Sequence, residues 1–383
     1  MKPFIVICLL LVRLTAISQT IRIADNNINR PGGANVFATL QLAVNAAVDG
    51  DIVYIQPSVT TYGDATIGKR ITLKGVGFGV TELGGRASTV GTLTIVNSSN
   101  GVSSVSNSVF KDFSFSTITF NAGTGSSTFN NLIFENLSGN TINTSNNQPN
   151  MNDLVIRNCY VITITLNGNF THFRTKLYNN IFDRGTISFA NAPDPLVTNN
   201  IFFTSSNNFY MNFDPSVTGA RIEHNIFSGT GNVFYNLRNQ QVVNNIFYGT
   251  TPGSVGPTFL DNVFSHNLFL TNVSTIPPAA TGGGSNSGIG NIVGVAPQFV
   301  DAPSAATAWS AVTSLYNYNL GPSSPCLNAA STGDNIGPSS GTYPLNQNVK
   351  FTAAAIPIIT EFNNTGTVNL NQPLRANVKA KSN

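Results

Sequence analysis

Charge is what this sequence has least of: only 9% of its 383 residues are Asp, Glu, Lys or Arg, and the formal net charge is +3. No run of Lys or Arg concentrates that charge, which argues against a nucleic-acid partner. Three cysteines are too few for a disulfide framework, and they lack the spacing and companion ligands of a zinc finger. Glutamate occurs only at Glu82, Glu135, Glu223 and Glu361, and the aspartates fall at unmatched offsets. No stack of carboxylates is visible that would converge on a calcium ion. Asp153, Asp194, Asp214 and Asp261 read instead as turn residues whose side chains satisfy nearby backbone. Long apolar runs are also missing. The longest, Phe4 to Val12, is well short of the ~20 residues that span a bilayer, and Arg13 ends it.

That short run has the order of an export signal: Lys2, the apolar stretch, then Ala16-Ile17-Ser18 as a small-residue cleavage site. Residues 1–18 are therefore expected to be a signal peptide, with no transmembrane anchor and a mature chain starting near Gln19. Losing Lys2 and Arg13 would leave 17 basic against 16 acidic residues, a nearly neutral surface. Cys8 leaves with the signal. Cys159 and Cys326 remain and are expected to be buried, unpaired thiols.

What is abundant is a repeat. Asn followed by Ile or Leu and Phe recurs at Asn180, Asn200, Asn225, Asn245 and Asn267, at spacings of 20, 25, 20 and 22. A looser match extends backward to Asn158, Asn136 and Asp112. Three residues before these eight positions every residue is apolar, from Val109, Ile133 and Val155 to Phe264, and those residues are expected to form one interior row. The residue after the Asn, Cys159 and Ile181 among them, reads as interior. The residue before it is always polar and reads as outward.

Short β-rich segments at this period, punctuated by Gly, Ser and Asn, describe a solenoid of stacked parallel strands. The repeated Asn would sit at a sharp bend, where it tolerates left-handed backbone angles and its amide reaches the next coil. Residues 39–48 have helical apolar spacing ahead of the strand Ile52–Ile55 and are expected to cap the N-terminal end. The reading is all-β: a right-handed parallel β-helix with a short N-terminal capping helix, spanning 19–349. Residues 277–290 read as a flexible excursion before the closing coils, and residues 350–383 as a strand-like appendage or tail.

Three stretches carry a family resemblance: "DGDIVYIQP" with "ITLKGVG" after the cap, the "NNIF" coils, and "APQFV…YNYNLGPSSPCLNAAS…DNIG" from Ala296 to Gly337. In these the chain resembles the pectate-lyase-like right-handed parallel β-helix superfamily. The resemblance implies a secreted bacterial type of β-helix. Lyases of that group resemble one another in a multi-carboxylate calcium site beside a proton-abstracting Arg or Lys, and that signature is missing here.

Two candidate sites follow. For a polysaccharide lyase or glycoside hydrolase, the residues are Lys176, Arg221, Glu223 and His224, with calcium needed only under that alternative. Separately, Thr117/Thr119, Thr141/Asn143, Thr163/Thr165 and Thr186/Ser188 alternate with inward isoleucines over four coils. This uncharged face continues into Tyr210, Asn212, Phe234 and Asn236, the candidates for binding a glycan through stacking and amide contacts. Regular Thr pairs would also suit an ice-binding plane. The favoured expectation is a secreted, non-enzymatic protein, extracellular or at the cell surface, that binds extracellular polysaccharide or cell-surface glycan without a cofactor or metal.

Overall fold

A computed structural model describes residues 19–77, 87–96, 105–121, 128–144, 150–166, 171–183, 185–204, 210–254, 256–271, 275–302, 317–345, 358–364 and 376–381. The expected signal segment, 1–18, lies outside the described residues, as do residues 350–357, 365–375 and 382–383 of the expected appendage.

The chain is a parallel β-helix. A 12-stranded sheet runs from Val36–Phe37 at one end to Val263–Ser265 at the other, every neighbouring pair parallel. A 15-stranded sheet forms further sides, and the early coils add a three-stranded one from Thr128–Asn130, Asn150–Asn152 and His172–Phe173. The one helix among the described residues is Leu40–Ala46, whose first turn is closed by the Thr39 hydroxyl accepting from Leu42 N at 3.2 Å. It buries Leu40, Ala43 and Val44 against the first strands, in the capping place expected from its apolar spacing. Ile358–Asn364 and Ala376–Lys381 pair antiparallel with each other.

Two corners of each coil are set by single residues with positive φ. One column runs through Asp112, Asn136, Asn158, Asn179, Asn199, His224, Asn244 and His266, and the other includes Asn107, Asn131, Asp153, Asp194, Asn239 and Asp261. Asn, Asp and His are the non-glycine types that enter this region most readily, which is why they recur at the corners. Asp153, Asp194 and Asp261 thus hold turns, as their sequence context suggests. Asp214 does so differently, accepting from Ser216 N and Oγ.

The residue after the first corner points inward. In the later coils it is Asn180, Asn200, Asn225, Asn245, Asn267 and Asn291, each Oδ1 accepting from the backbone N–H of the residue one coil before at 2.9 to 3.0 Å. Each Nδ2 from Asn180 to Asn267 also donates to the next Oδ1, at 3.0 to 3.2 Å. The ladder satisfies backbone donors that a tight interior bend would otherwise strand. Beside it Phe182, Phe202, Phe227, Phe247 and Phe269 stack with centroids 4.7 to 5.2 Å apart, the spacing of adjacent coils.

Pairing corrects the sequence register in the first three coils. Val155 pairs with Lys176, and Ile156 with the interior Leu177. The inward row is therefore Phe110, Phe134, Ile156, Leu177, Val197, Ile222, Val242 and Phe264, all fully buried, whereas Val109, Ile133 and Val155 are only half-buried on the outer side. The backward extension aligned the corner residue Asn158 with the ladder residue Asn180, when its counterpart is Asn179. A slip of one residue turns every side chain to the other face. Cys159 stays interior nonetheless, because it occupies the ladder position itself.

Ile181, Ile201, Ile226, Ile246 and Leu268 lie on the outer side, opposite the stacked phenylalanines. They form a second apolar core with Tyr318, Cys326, Ala330, Ile336 and Leu345. The closing motif therefore straps along the side of the solenoid. Residues 277–290, expected as an excursion, help build the last coil: Asn286 Oδ1 accepts from Asn262 N and Nδ2, and Ser287 N donates to the Asn262 carbonyl. Both remaining thiols are free and buried, as expected.

Candidate functional site

The strap and the outer face of the 12-stranded sheet enclose a cleft of about 380 Å³ lined by Arg221, Glu223, His224, Gln241, Asn244 and Asp334, with Ser331, Thr332 and Thr342 at its rim. Three of the four candidates named for the lyase or hydrolase alternative meet here. Arg221 and Glu223 alternate along one outer strand, so both project from the same side, and His224 is the corner residue that follows. Lys176 shares the Arg221 column through Leu196 but sits two coils away, outside the lining.

Within the cleft Arg221 and Glu223 are engaged with each other and His224 with the residues around it, while the exposed Asp334 accepts from the Thr332 hydroxyl at 3.3 Å. Arg221 Nη2 donates to Glu223 Oε1 at 2.9 Å and Oε2 at 2.7 Å. The arginine side chain is 54% exposed and the glutamate 12%, so the pair faces the cleft from the cationic side. His224 is buried: its Nδ1 lies 3.1 Å from the Gly337 carbonyl, and its Nε2 lies 3.1 Å from the Asn244 amide nitrogen. A carbonyl can only accept and an amide NH2 only donate, which makes the ring the neutral Nδ1–H tautomer. Burial also holds the His224 pKa below the usual histidine range, with the Gly337 contact opposing it. Asn244 completes the anchor, donating to Ser331 Oγ and accepting from Ser331 N. Gly341 is required here: its φ is +83°, and a Cβ would come 2.7 Å from His224 Cδ2. His224 is thus a peg for the strap, with neither nitrogen free for substrate.

The expected glycan face is overturned for its aromatic members. Tyr210 is 1% and Phe234 0% exposed. Tyr210 donates to the Ser228 carbonyl at 2.6 Å, and burial pushes its pKa far up. Phe234 pairs with Met211 in the interior row and packs on Phe227, Phe259 and Phe264. The expected alignment of Tyr210 with Phe234 was one residue out, and both side chains turn to the core. Asn212 and Asn236 remain half-buried on the outer side, their amides 3.4 Å apart.

Sequence reasoning found Arg221, Glu223 and His224 as the densest titratable cluster. It missed Ser331, Thr332 and Asp334, whose only signal was the closing motif, because that motif read as a coil and not as a wall, and it missed Thr342 just beyond that motif. Among the described residues no three His, Cys, Asp or Glu side chains gather in a metal-binding group, and no helix is long and apolar enough to cross a membrane. Compared with known families and with characterised proteins, the chain matches no family model and no characterised relative.

Proposed function

We propose that this is an exported, non-enzymatic member of the pectate-lyase-like superfamily that binds extracellular polysaccharide or cell-surface glycan in the strap cleft. The observation that carries the reading is the cleft's chemistry. Exposed hydroxyls of Ser331, Thr332 and Thr342, the Gln241 amide, the Asp334 carboxylate and the Arg221 guanidinium face one space of saccharide size. Such a mixture of donors and acceptors suits sugar hydroxyls, which need both. Next in sequence to the lining residue Thr342, Tyr343 stacks on Tyr178 with centroids 4.2 Å apart. Binding is favoured over turnover because both oxygens of Glu223 are taken by Arg221, and the two nitrogens of His224 by the Gly337 carbonyl of the strap and the Asn244 amide of the next coil.

Calorimetry of the mature chain with oligosaccharides selected on a glycan array tests the reading. Arg221→Ala combined with Asp334→Ala should weaken binding at least tenfold, the loss of about 1.4 kcal/mol, while leaving far-UV circular dichroism unchanged. Absence of any glycan ligand, or one bound equally by the double variant, overturns it. A parallel assay for unsaturated uronate ends, with and without calcium, reads out the lyase alternative. A product abolished by Arg221→Ala or Lys176→Ala would replace the binding reading with that one.

A further inference from the structure

The side of the solenoid formed by the second half of each early coil carries two straight columns of hydroxyl and amide side chains. Thr92, Thr117, Thr141 and Thr163 are paired in register along one column. Thr94, Thr119, Asn143 and Thr165 are paired along the other, which continues to Ser188. Between them Leu93, Ile118, Ile142 and Ile164 are fully buried, which fixes the flanking side chains on the outer side.

General preference of Thr for strands does not explain the columns. The outer face of the 12-stranded sheet offers equivalent outward positions in the same coils, and they hold Thr72, Val109, Ile133 and Val155 in one column and Lys74, Lys111, Glu135 and Arg157 in the next. Apolar and charged residues are used there, and neither type enters the two Thr columns between Thr92 and Ser188. The result is a regular, uncharged, rigid array, repeating at about 4.8 Å from coil to coil and about 6.6 Å between alternate residues of a strand. Threonine's β-branch restricts its rotamers, so the array loses little side-chain entropy on contact.

We infer that this face binds ice. A ligand that repeats in two dimensions can engage the whole array, whereas a discrete soluble molecule would meet one or two of its members. Two repeating ligands are conceivable, ice and a crystalline polysaccharide. Flat carbohydrate faces are held by aromatic platforms, and the aromatic residues that follow these columns, Tyr210 and Phe234, are turned into the core. Ice instead presents an uncharged lattice of hydrogen-bonding oxygens that, like the array, repeats in two dimensions. Threonine methyl groups order the first water shell while the hydroxyls bond to it. The face thus takes water in its lattice form as ligand, independently of the strap cleft.

The test is ice-affinity partitioning and thermal hysteresis with the mature full-length chain. Wild type should enrich in a slowly grown ice fraction and depress the growth temperature below the melting temperature. Thr141→Lys and Thr117→Lys, tested separately, should each lose most of both effects with unchanged far-UV circular dichroism, and Lys111→Ala, on the outer face of the 12-stranded sheet, should keep them. Thr141→Val, which keeps the shape and one methyl group but removes the hydroxyl, is read in place of any Lys variant that fails to fold, and should also lose activity. Wild type excluded from ice overturns the inference. So do folded face variants with undiminished activity, or a dimer in solution that Thr141→Lys dissociates.

Discussion

His172 offers the most discriminating test of the packing. Its side chain is fully buried in the three-stranded sheet, beside its ladder partner Met151, and neither ring nitrogen has a hydrogen-bond partner among the described residues. Burial holds its pKa down to about 4, against an ordinary 6.5. Because the folded value is the lower one, the unfolded chain binds the proton first as the pH falls. The neutral histidine's contribution is intact above pH 6.5 and is lost progressively down to pH 4. At about 1.4 kcal/mol per pH unit, that amounts to about 3 kcal/mol across the window. The substitution His172→Leu removes the titrating group and two unsatisfied buried polar atoms while keeping the volume similar. It should stabilise the protein at pH 7.5 by about 2 kcal/mol or more, since each of the two stranded polar atoms costs about 1 kcal/mol or more. The assay is urea unfolding of wild type and variant at half-unit steps from pH 7.5 to 4. Carboxylates titrate in both proteins, so the difference between the two curves isolates His172. A variant that is less stable at pH 7.5, or a difference that does not widen toward pH 4, would refute the reasoning.

Three further outcomes are expected. Asn225→Ala removes the Oδ1 that accepts from Asn200 N and Nδ2, and the Nδ2 that donates to Val197, Glu223 and Asn245. It should cost about 3 kcal/mol or more in urea unfolding, and a loss under about 0.5 kcal/mol, the size of a surface change, would count against the ladder. The corrected register is checked by a neighbouring pair: Val155→Thr should change stability by no more than about 0.5 kcal/mol, and Ile156→Thr should cost about 2 kcal/mol, with the reverse order restoring the uncorrected alignment. Burial pushes the Cys159 and Cys326 thiols each up to about 12. Both should therefore resist a thiol reagent at pH 8 in the native state and react promptly in denaturant, and fast native labelling of either would contradict its placement.

Much of the architecture was legible in one dimension because a solenoid repeats its local physics. Alternation of apolar and polar residues gave the strands, Asn recurring every 20 to 25 residues gave the bends, and the helical apolar spacing of residues 39–48 gave the cap. The Thr columns were readable for the same reason, as each coil restates the pattern without reference to distant residues. The candidate site was half legible. Arg221, Glu223 and His224 are adjacent in sequence and announce themselves as a cluster, but the wall that converts them into a cleft comes from residues 331–342, more than 100 positions away.

Tertiary structure alone decided which face each row took. Later coils carry two separate residues for the two jobs, as in Asn179-Asn180 or His224-Asn225, the first for the left-handed corner and the second for the ladder. Earlier coils carry only the corner residue, with Phe113, Leu137 or Cys159 at the ladder position. A pattern anchored on a single Asn cannot distinguish these two jobs, and a one-residue ambiguity exchanges inside for outside. The same limit hid the aromatics: Phe234 is interior because it pairs with Met211, a register that depends on how the chain re-enters the sheet after its preceding loop. The row from Ile181 to Leu268 is buried only because residues 318–345 return to cover it. Periodicity reports that a strand has two faces, and only the packed chain determines what lies against each.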